Sequence, residues 1–293
     1  MKAGFVAIVG RPNVGKSTLL NRVLGRKVAI VSRKPGTTRM RILGIRNTRE
    51  GQTVFIDTPG VPTFDSLLNR YLRREIDAAR HGVDLLLFMT EPHPRSAELD
   101  KGLLSDPSAP ETFLVINKVD RVSKPDLLPL IDRYRGLRDF REIFPISAKT
   151  GENVGELLQA VEEALPEGEP YFPPDAVTDQ AEEKVAAELI REQVIGATAR
   201  ELPYACAVAV ESIEADEERK RLIVFATLFV EKESQKPILI GHKGRMIRKI
   251  GTAARLSLEE WFGSPIYLDL RVRVKKDWSR SERSLKELGF GRE

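Results

Sequence analysis

The chain has 293 residues, of which 31% are charged and 41% hydrophobic, with 47 Lys and Arg against 43 Asp and Glu. This composition is typical of a globular protein and excludes disordered and fibrous classes, and the length accommodates two domains of ordinary size. No stretch approaches the roughly 20 apolar residues of a membrane span, and a single cysteine, Cys206, excludes an internal disulfide. The first residues lead straight into a glycine-rich segment and not to a signal cleavage site, so we expect a cytoplasmic protein.

The first motif is the phosphate loop, Gly10–Thr18, with the sequence GRPNVGKST, which fits G-x-x-x-x-G-K-[ST]. The apolar run 5–9 predicts a strand before it, and 17–24 predicts a helix after it. In that context the loop N–H groups and the helix dipole attract phosphate. We predict that Lys16 reaches the β- and γ-phosphates of a nucleotide and that the Ser17 hydroxyl holds Mg²⁺. The other predicted phosphate-binding residues are Gly10, Asn13, Val14, Gly15 and Thr18.

The next segment is basic and contains two adjacent threonines. From Arg22 to Arg49 the chain has nine Arg or Lys and no acidic residue. Nucleotide switches use a threonine here to bind Mg²⁺ and to sense the γ-phosphate, in a loop that nucleotide orders and hydrolysis releases. Thr38 is the preferred candidate, and Thr37 remains the alternative.

Apolar runs alternate with helical patterns up to about residue 165. We predict strands at 42–46, 53–56, 83–89, 112–116 and 143–146, and helices at 66–80, 95–104, 125–138 and 153–165. The pattern indicates an α/β domain with a mixed, mostly parallel sheet and helices on both faces. Ligands of such sheets bind at the carboxyl ends of strands, so each binding motif should follow a strand.

Two more motifs after strands extend this into a guanine-nucleotide pattern. In the first, Asp57-Thr58-Pro59-Gly60, Asp57 would hold Mg²⁺ and the Gly60 N–H would face the γ-phosphate. In the second, Asn117-Lys118-Val119-Asp120, Asp120 would accept two hydrogen bonds from guanine. Adenine lacks those donors, and such a site rejects the analogue by roughly 10⁴-fold.

The remaining guanine contacts follow from the same strands. Asn117 would hold the loops around the base, and the Lys118 stem would cover one face of the ring. The last motif, Ser147-Ala148-Lys149, follows the strand at 143–146 and would place a backbone N–H at guanine O6. These motifs in this order predict a binding site for GTP and GDP.

Two residues bear on the rate of hydrolysis. Ras-like GTPases carry a glutamine after the aspartate motif to orient the attacking water, whereas this chain has Val61. We therefore expect slow unaided turnover. Asn13 resembles the asparagine that ligands K⁺ in cation-dependent members of this superfamily, where K⁺ near the phosphates could replace an arginine finger.

Residues 166–174 contain four prolines and predict an extended linker. We predict a GTPase domain at 1–167, a linker at 168–179 and a second domain at 180–293. In the second domain we predict helices at 180–201, 237–240, 245–262 and 279–288 and strands at 205–213, 221–230 and 266–274. The order before the last helix is α-β-β-α-α-β.

The GxxG loop, Gly241–Gly244, lies between two predicted helices, which is the setting of the loop that in KH domains clamps about four nucleotides of single-stranded backbone. His242, Lys243 and Arg245 give it a positive potential, and residues 241–293 carry 13 basic and seven acidic side chains. Predicted RNA-binding residues are Gly241, His242, Lys243, Gly244, Arg245 and Arg248. A plain structural turn is the alternative. Four apolar residues nearby would either contact bases or pack in the core. They are Ile238, Ile240, Ile247 and Ile250.

This motif set, followed by a linker and a C-terminal type II KH domain, resembles the Era family of bacterial GTPases, which are TrmE-Era-EngA-like proteins. The resemblance covers essentially the whole chain, and Val61 agrees with it because the family lacks the glutamine. It implies a factor for assembly of the 30S ribosomal subunit. Its KH domain would bind the single-stranded 3′ end of 16S ribosomal RNA under control of GTP and GDP. It also implies peripheral association with the inner face of the cell membrane, and we expect a monomer.

Two other interpretations remain open. A GTPase of tRNA modification or metabolism would be expected to have a substrate domain or a catalytic cysteine, and neither is evident. A membrane or cell-cycle signalling GTPase would use its KH-like domain to bind protein. Retention of RNA by the fragment 175–293 would distinguish the RNA-binding assembly factor from both of these interpretations.

Overall fold

The computed structural model describes residues 1–32, 34, 36–60, 67–68, 70, 72, 82–105, 109–199, 201–288 and 290. Among these, residues 1–29, 38–60 and those described in 72–179 form a first compact unit. A second compact unit contains those described in 30–37, in 64–71 and in 180–290. Val61 and most of the helix predicted at 66–80 lie outside the described residues.

The first unit is built on a six-stranded sheet. Its strands are β1 (Lys2–Val9), β2 (Ile42–Asn47), β3 (Gly51–Asp57), β4 (Leu85–Thr90), β5 (Thr112–Asn117) and β6 (Glu142–Ile146). Their order is β2-β3-β1-β4-β5-β6, with β2 antiparallel to β3 and every other neighbouring pair parallel. The mixed, mostly parallel sheet predicted from the sequence is confirmed.

Helices cover both faces of this sheet. They are α1 (Lys16–Leu24), α2 (Ser96–Leu104), α3 (Leu128–Arg135) and α4 (Val154–Ala164). Alternate residues of β5 point to opposite faces. Val115 packs in the core cluster that includes α1 and α4, and Leu114 packs in the cluster that includes α2 and α3. The continuous apolar runs of the sequence therefore reflect strands that are buried on both sides.

The segment predicted as a linker contains no helix, has bends and a turn at 171–175, and belongs to the first unit. The Tyr171 and Phe172 N–H groups donate to Gln52 Oε1 at 2.8 and 2.9 Å. The Ile45 N–H donates to the Val177 carbonyl at 2.8 Å. This segment therefore lies along the β2 edge of the sheet and covers backbone groups that an edge strand would otherwise leave open.

The second unit combines a three-stranded sheet with helices. In chain order it contains α5 (Glu182–Ala197), α6 (Leu202–Ala205), β7 (Cys206–Asp216), β8 (Arg221–Val230), α7 (Lys236–Ile240), α8 (Arg245–Phe262), β9 (Ile266–Val274) and α9 (Glu282–Glu287). Its sheet order is β7-β8-β9, with β7 antiparallel and β9 parallel to β8. One face packs on α5 and α8 through a core that includes Leu189, Leu228 and Leu258.

Two predicted boundaries in this unit were wrong. The helix predicted at 180–201 ends at Ala197, because Thr198 is extended at its C-cap and the short α6, which contains Pro203, forms separately. The strand predicted at 205–213 continues to Asp216 after a register shift between Val210 and Ser212. Through the described ranges, no helix combines the length and apolar character that crossing a bilayer requires.

Candidate nucleotide and nucleic-acid sites

The phosphate loop joins the end of β1 to the start of α1. Gly15 has φ 110°, and a Cβ at this position would lie 2.2 Å from Asn117 Nδ2. That nitrogen donates to the Val14 carbonyl at 2.7 Å. Glycine at position 15 is therefore required both for the backbone conformation and for the close approach of the Asn117 amide.

Lys16 is held inside this loop. Its side chain is buried, and its Nζ donates to the carbonyls of Gly10 and Arg11 at 2.9 and 3.0 Å. Burial lowers the Lys16 pKa to about 8, against the attraction of Asp57 and Asp100. The ammonium is still protonated at neutral pH, so it can exchange these carbonyls for phosphate oxygens.

Three oxygen-bearing side chains meet beside the loop. Ser17 Oγ donates to Asp57 Oδ2 at 2.6 Å and lies 3.0 Å from Thr38 Oγ1. Asp57 is fully buried, and among the described residues its Oδ1 has no hydrogen-bond partner. Burial raises its pKa to about 6, although Lys16 acts in the opposite direction. Hydroxyl and carboxylate oxygens around an unpaired buried oxygen fit Mg²⁺.

The structure distinguishes the two threonines. Thr38 reaches Ser17, as described above, whereas Thr37 Oγ1 donates to the Lys34 carbonyl at 2.7 Å. The geometry therefore brings Thr38, and not Thr37, to the oxygen cluster.

The predicted guanine-binding residues also come together. Ser147 Oγ donates to Asp120 Oδ1 at 2.7 Å, and Asp120 is exposed at the loop surface. The Ala148 N–H donates to Asn117 Oδ1 at 2.8 Å. Because Asn117 also bonds to Val14, its amide ties the phosphate loop to the loop after β6. The side chain therefore holds two loops in place, as expected.

Lys118 is positioned by the phosphate loop. Its Nζ donates to the Asn13 carbonyl at 2.7 Å and pairs with Glu91. Lys118 and Asn13 both adopt positive φ, 69° and 65°. The Lys118 stem therefore runs beside the loop, where it can cover the face of a bound base.

Sequence reasoning missed a polar network behind the phosphate loop. Arg11 Nε donates to Asp100 Oδ1 at 2.6 Å, and Arg11 Nη2 donates to Ser96 Oγ at 2.8 Å. The other Asp100 oxygen accepts from Thr90 at 2.8 Å and from Tyr134 at 2.5 Å. Burial and the bond to Asp100 raise the Tyr134 pKa above its usual value. These residues are far apart in the sequence and carry no motif that could have revealed them.

Arg22 is a second residue that the sequence did not reveal. Its Nε donates to the Ala148 carbonyl at 3.1 Å, and its Nη2 donates to the Lys149 carbonyl. Arg22 therefore links α1 to the loop that contains Ala148 and Lys149. Its only sequence signal was its place in a basic segment.

In the second unit, the GxxG loop connects α7 to α8 as a short 3₁₀ turn, His242–Gly244. Gly241 has φ 71°, and a Cβ there would lie 2.7 Å from Met246 Cβ and 2.8 Å from Met246 N. The basic side chains predicted to bind RNA, on and after the loop, are all exposed. They are His242, Lys243, Arg245 and Arg248. The loop therefore presents positive charge and a closely approachable backbone.

The apolar residues near this loop differ in burial, and Ile240 and Ile247 are half-buried. Ile238 is 53% exposed and can contact a ligand, whereas Ile250 is 1% exposed and packs in the core. A second basic set near the C-terminus is formed by Arg271, Arg273, Lys275, Lys276 and Arg280. In this set Arg271 pairs with Asp269 at 2.7 Å, which favours a solvated surface there.

The fold and the two sites define a class of protein, a P-loop GTPase followed by a KH domain. Residues 5–118 match the family described as 50S ribosome-binding GTPase, and residues 201–279 match the KH domain family. A GTPase Era from Syntrophus aciditrophicus is 47% identical over 99% of this chain and 95% of its own length. One from Geobacter metallireducens is 49% identical over 99% and 98%. This chain belongs to the Era family and is a GTP-hydrolysing enzyme.

Two solved structures resemble this chain, and each match covers the full length of this chain and of the solved one. A variant of Aquifex aeolicus Era bound to GDP·AlF₄⁻ has a TM-score of 0.94 and 40% identity. A structure of Era with MgGDPNP and nucleotides 1506–1542 of 16S ribosomal RNA has a TM-score of 0.94 and 39% identity.

Proposed function

We propose that this chain is a GTP-controlled RNA-binding switch that assists assembly of the 30S ribosomal subunit by binding single-stranded 16S ribosomal RNA near its 3′ end. The observation that carries the proposal is the full-length similarity to an Era that was solved with MgGDPNP and 16S ribosomal RNA. The exposed basic GxxG loop of this chain supports it.

In the nucleotide site, Lys16 exchanges its loop carbonyls for the β- and γ-phosphates, and the phosphate-loop and Gly60 N–H groups bind phosphate oxygens. Ser17, Thr38 and Asp57 would hold Mg²⁺, which when bound neutralises charge on the phosphoryl oxygens. Asp57 Oδ1, which has no partner in the described chain, supports this assignment.

At the base, Asp120 accepts from guanine while Lys118 covers one face of the ring. The Ala148 N–H is engaged by Asn117, so we assign the donor for guanine O6 to the N–H of Lys149. Exclusion of ATP follows because adenine would leave the Asp120 carboxylate unpaired.

Hydrolysis is proposed to be slow because Val61 cannot orient water. We further propose that K⁺ bound near Asn13 accelerates it. Turnover in KCl and in NaCl at equal ionic strength tests the cation: faster turnover in KCl supports it, and equal rates exclude it.

RNA binding is tested with the full chain and a fluorescent oligonucleotide from the 3′ end of 16S ribosomal RNA. Replacing both His242 and Lys243 with Asp should weaken RNA binding at least tenfold, because the loop would then repel phosphate. GTP binding should not change. Unchanged RNA affinity would refute the assignment of the GxxG loop.

We also propose a monomer in the cytoplasm, with a fraction bound peripherally at the inner face of the cell membrane. The membrane fraction rests on family resemblance alone. Light scattering and cell fractionation test these two statements separately.

A further inference from the structure

The boundary between the two compact units falls between the adjacent threonines Thr37 and Thr38. We call the described residues of Ile30–Thr37 the threonine segment. It belongs to the second unit, whereas Thr38 belongs to the first. Consecutive Cα atoms are about 3.8 Å apart, so a group that holds the Thr37 backbone also restricts where Thr38 can lie.

Helix α5 of the second unit binds the threonine segment at both of its ends. The Val31 N–H donates to Glu192 Oε1 at 2.9 Å. At the other end, Arg191 Nη2 donates to the Thr37 carbonyl. The segment is therefore attached through its backbone to two neighbouring side chains of one helix.

A third attachment lies between these two. Lys34 Nζ donates to the carbonyls of Ile195 and Thr198, at the C-terminal end of α5. A cation satisfies the open carbonyls of a helix end and complements its dipole. The segment is thus bound to α5 along its length and not at a single point.

Arg191 is the most constrained of these contacts. It is 2% exposed and forms a bidentate pair with Glu188, in which Nε and Nη2 each lie 2.7 Å from a carboxylate oxygen. Bidentate pairs fix the guanidinium plane, so Glu188 orients the nitrogen that holds Thr37. Among the described residues, the buried Arg191 Nη1 has no hydrogen-bond partner.

The other end of this connection is the oxygen cluster. Thr38 Oγ1 lies 3.0 Å from Ser17 Oγ, which in turn bonds to Asp57. Only one peptide bond separates the carbonyl that Arg191 holds from the residue that would bind Mg²⁺ with GTP. A movement of Thr38 with nucleotide state must therefore act on the Arg191 contact, and the reverse is also true.

We propose that Arg191, oriented by Glu188, is a positioning residue that couples nucleotide state to the RNA-binding unit by holding the Thr37 carbonyl next to Thr38. The inference rests on the proposed function and names its regulation. Buried donors are nearly always satisfied. Arg191 Nη1, which has no partner in the described chain, is therefore a donor that a second acceptor could occupy.

The test uses the full chain and a double variant, Glu188→Leu with Arg191→Met. Removing both charges avoids leaving one buried ion unpaired, which is the costly outcome. Two ratios are measured: GDPNP affinity against GDP affinity without RNA, and RNA affinity with GDPNP against RNA affinity with GDP. The RNA probe is the 16S 3′-end oligonucleotide, and both ligands are used with Mg²⁺.

We expect wild type to show an RNA ratio that differs from one by about 5-fold or more, a typical allosteric coupling. In the double variant this ratio should fall to about one, and the preference for GDPNP over GDP should drop several-fold, because Thr38 is no longer positioned. GDP affinity should stay within twofold, because the Thr38 contact belongs to the GTP state.

The matched control is Arg283→Met. Arg283 also pairs with a carboxylate on its own helix in the second unit, with its Nε 2.9 Å from Glu287 Oε1, but its side chain is 90% exposed. Both ratios should keep their wild-type values in this variant. A folded double variant with both ratios unchanged would overturn the proposal, and so would equal loss of RNA affinity in both nucleotide states.

Lys34→Met provides a second route if the double variant does not fold. It removes the attachment to the end of α5 without touching the buried pair, and it should shift both ratios in the same direction. Wild-type ratios in Lys34→Met would then overturn the proposal. If wild type itself does not bind the oligonucleotide, the proposed function fails, and the GDPNP-to-GDP ratio still decides the positioning role.

Discussion

At the scale of single residues, the nucleotide site depends on groups whose local environment makes their chemistry specific. Asp57 has one oxygen bonded to Ser17 and the other without a partner in the described chain. Asp120, in contrast, is exposed and has one oxygen engaged by Ser147. These environments support our proposal that Asp57 binds a cation and Asp120 binds a base, although the two side chains are chemically identical.

Asp120→Asn should change the base that the site prefers. The Asn amide would place a donor opposite the donors of guanine, so affinity for GDP should fall by about 100-fold or more. Xanthosine diphosphate should gain affinity, because its extra carbonyl accepts from that amide. Calorimetry with both nucleotides measures the exchange. Retained binding of the xanthosine nucleotide also serves as the control for folding. An unaltered preference for GDP would remove Asp120 from the guanine site.

At the scale of elements, the phosphate loop is supported by helices that no motif marks. Asp100 on α2 is fully buried and accepts from Arg11 of the loop, from Thr90 at the end of β4 and from Tyr134 of α3. One carboxylate therefore ties together four elements. A network of this kind stabilises a structure only when every member is satisfied.

Asp100→Ala should lower the free energy of unfolding by about 3 kcal/mol, because it leaves Arg11 and Tyr134 without their buried partner. Hydrogen exchange of the β4 and β5 amides measures this loss within the first unit. The matched control is Asp132→Ala: Asp132 is 75% exposed and lies 3.8 Å from Arg135. It should change stability by less than about 0.5 kcal/mol. Equal effects of the two substitutions would contradict the role of the network.

Gly241→Ala tests the GxxG loop as an element. A methyl group there meets Met246 at 2.7 Å in a backbone conformation with φ 71°. The start of α8 must therefore shift, and RNA affinity should fall about tenfold while nucleotide affinity stays constant. Gly251→Ala is the control, since no heavy atom lies within 4 Å of the added Cβ. If both variants bind RNA like wild type, close backbone approach is not how the loop works.

At the scale of the whole molecule, the local distribution of charge is more informative about function than the net charge. The counts of 47 basic and 43 acidic side chains nearly cancel, yet exposed cations cluster at the GxxG loop. Near the C-terminus, by contrast, Arg271 and Lys275 each pair with a carboxylate. The loop is thus the better candidate for phosphate binding than the basic residues near the C-terminus.

The salt dependence of RNA affinity tests whether the GxxG loop binds the RNA backbone. Contact with about four phosphates of single-stranded RNA should give a slope near −3 for log affinity against log salt, and Lys243→Ala should reduce its magnitude by about 0.7. Lys276→Ala serves as the control in the terminal basic set. Fluorescence anisotropy across a salt series gives the slopes. Equal slopes for all three proteins would mean that the loop does not bind the backbone.

Features that depend on neighbouring residues could be predicted from the amino-acid sequence alone. Glycine spacing, strand-ending motifs and their order predicted the phosphate loop, the guanine site, the mostly parallel sheet and the GxxG loop, because local backbone chemistry and hydrophobic period carry that information. Helix ends were less certain: nothing in the composition of 180–201 showed that α5 would end at Ala197.

Which distant groups meet, in contrast, depends on the packed fold and could not be predicted. The fold brought Thr38 and not Thr37 to Ser17, made Asp100 the support of the phosphate loop, and assigned the threonine segment to the unit that contains α5. These outcomes depend on contacts between residues up to 164 positions apart, as for Lys34 and Thr198. No local pattern encodes such a contact, because burial and orientation in the packed fold determine which polar groups find partners.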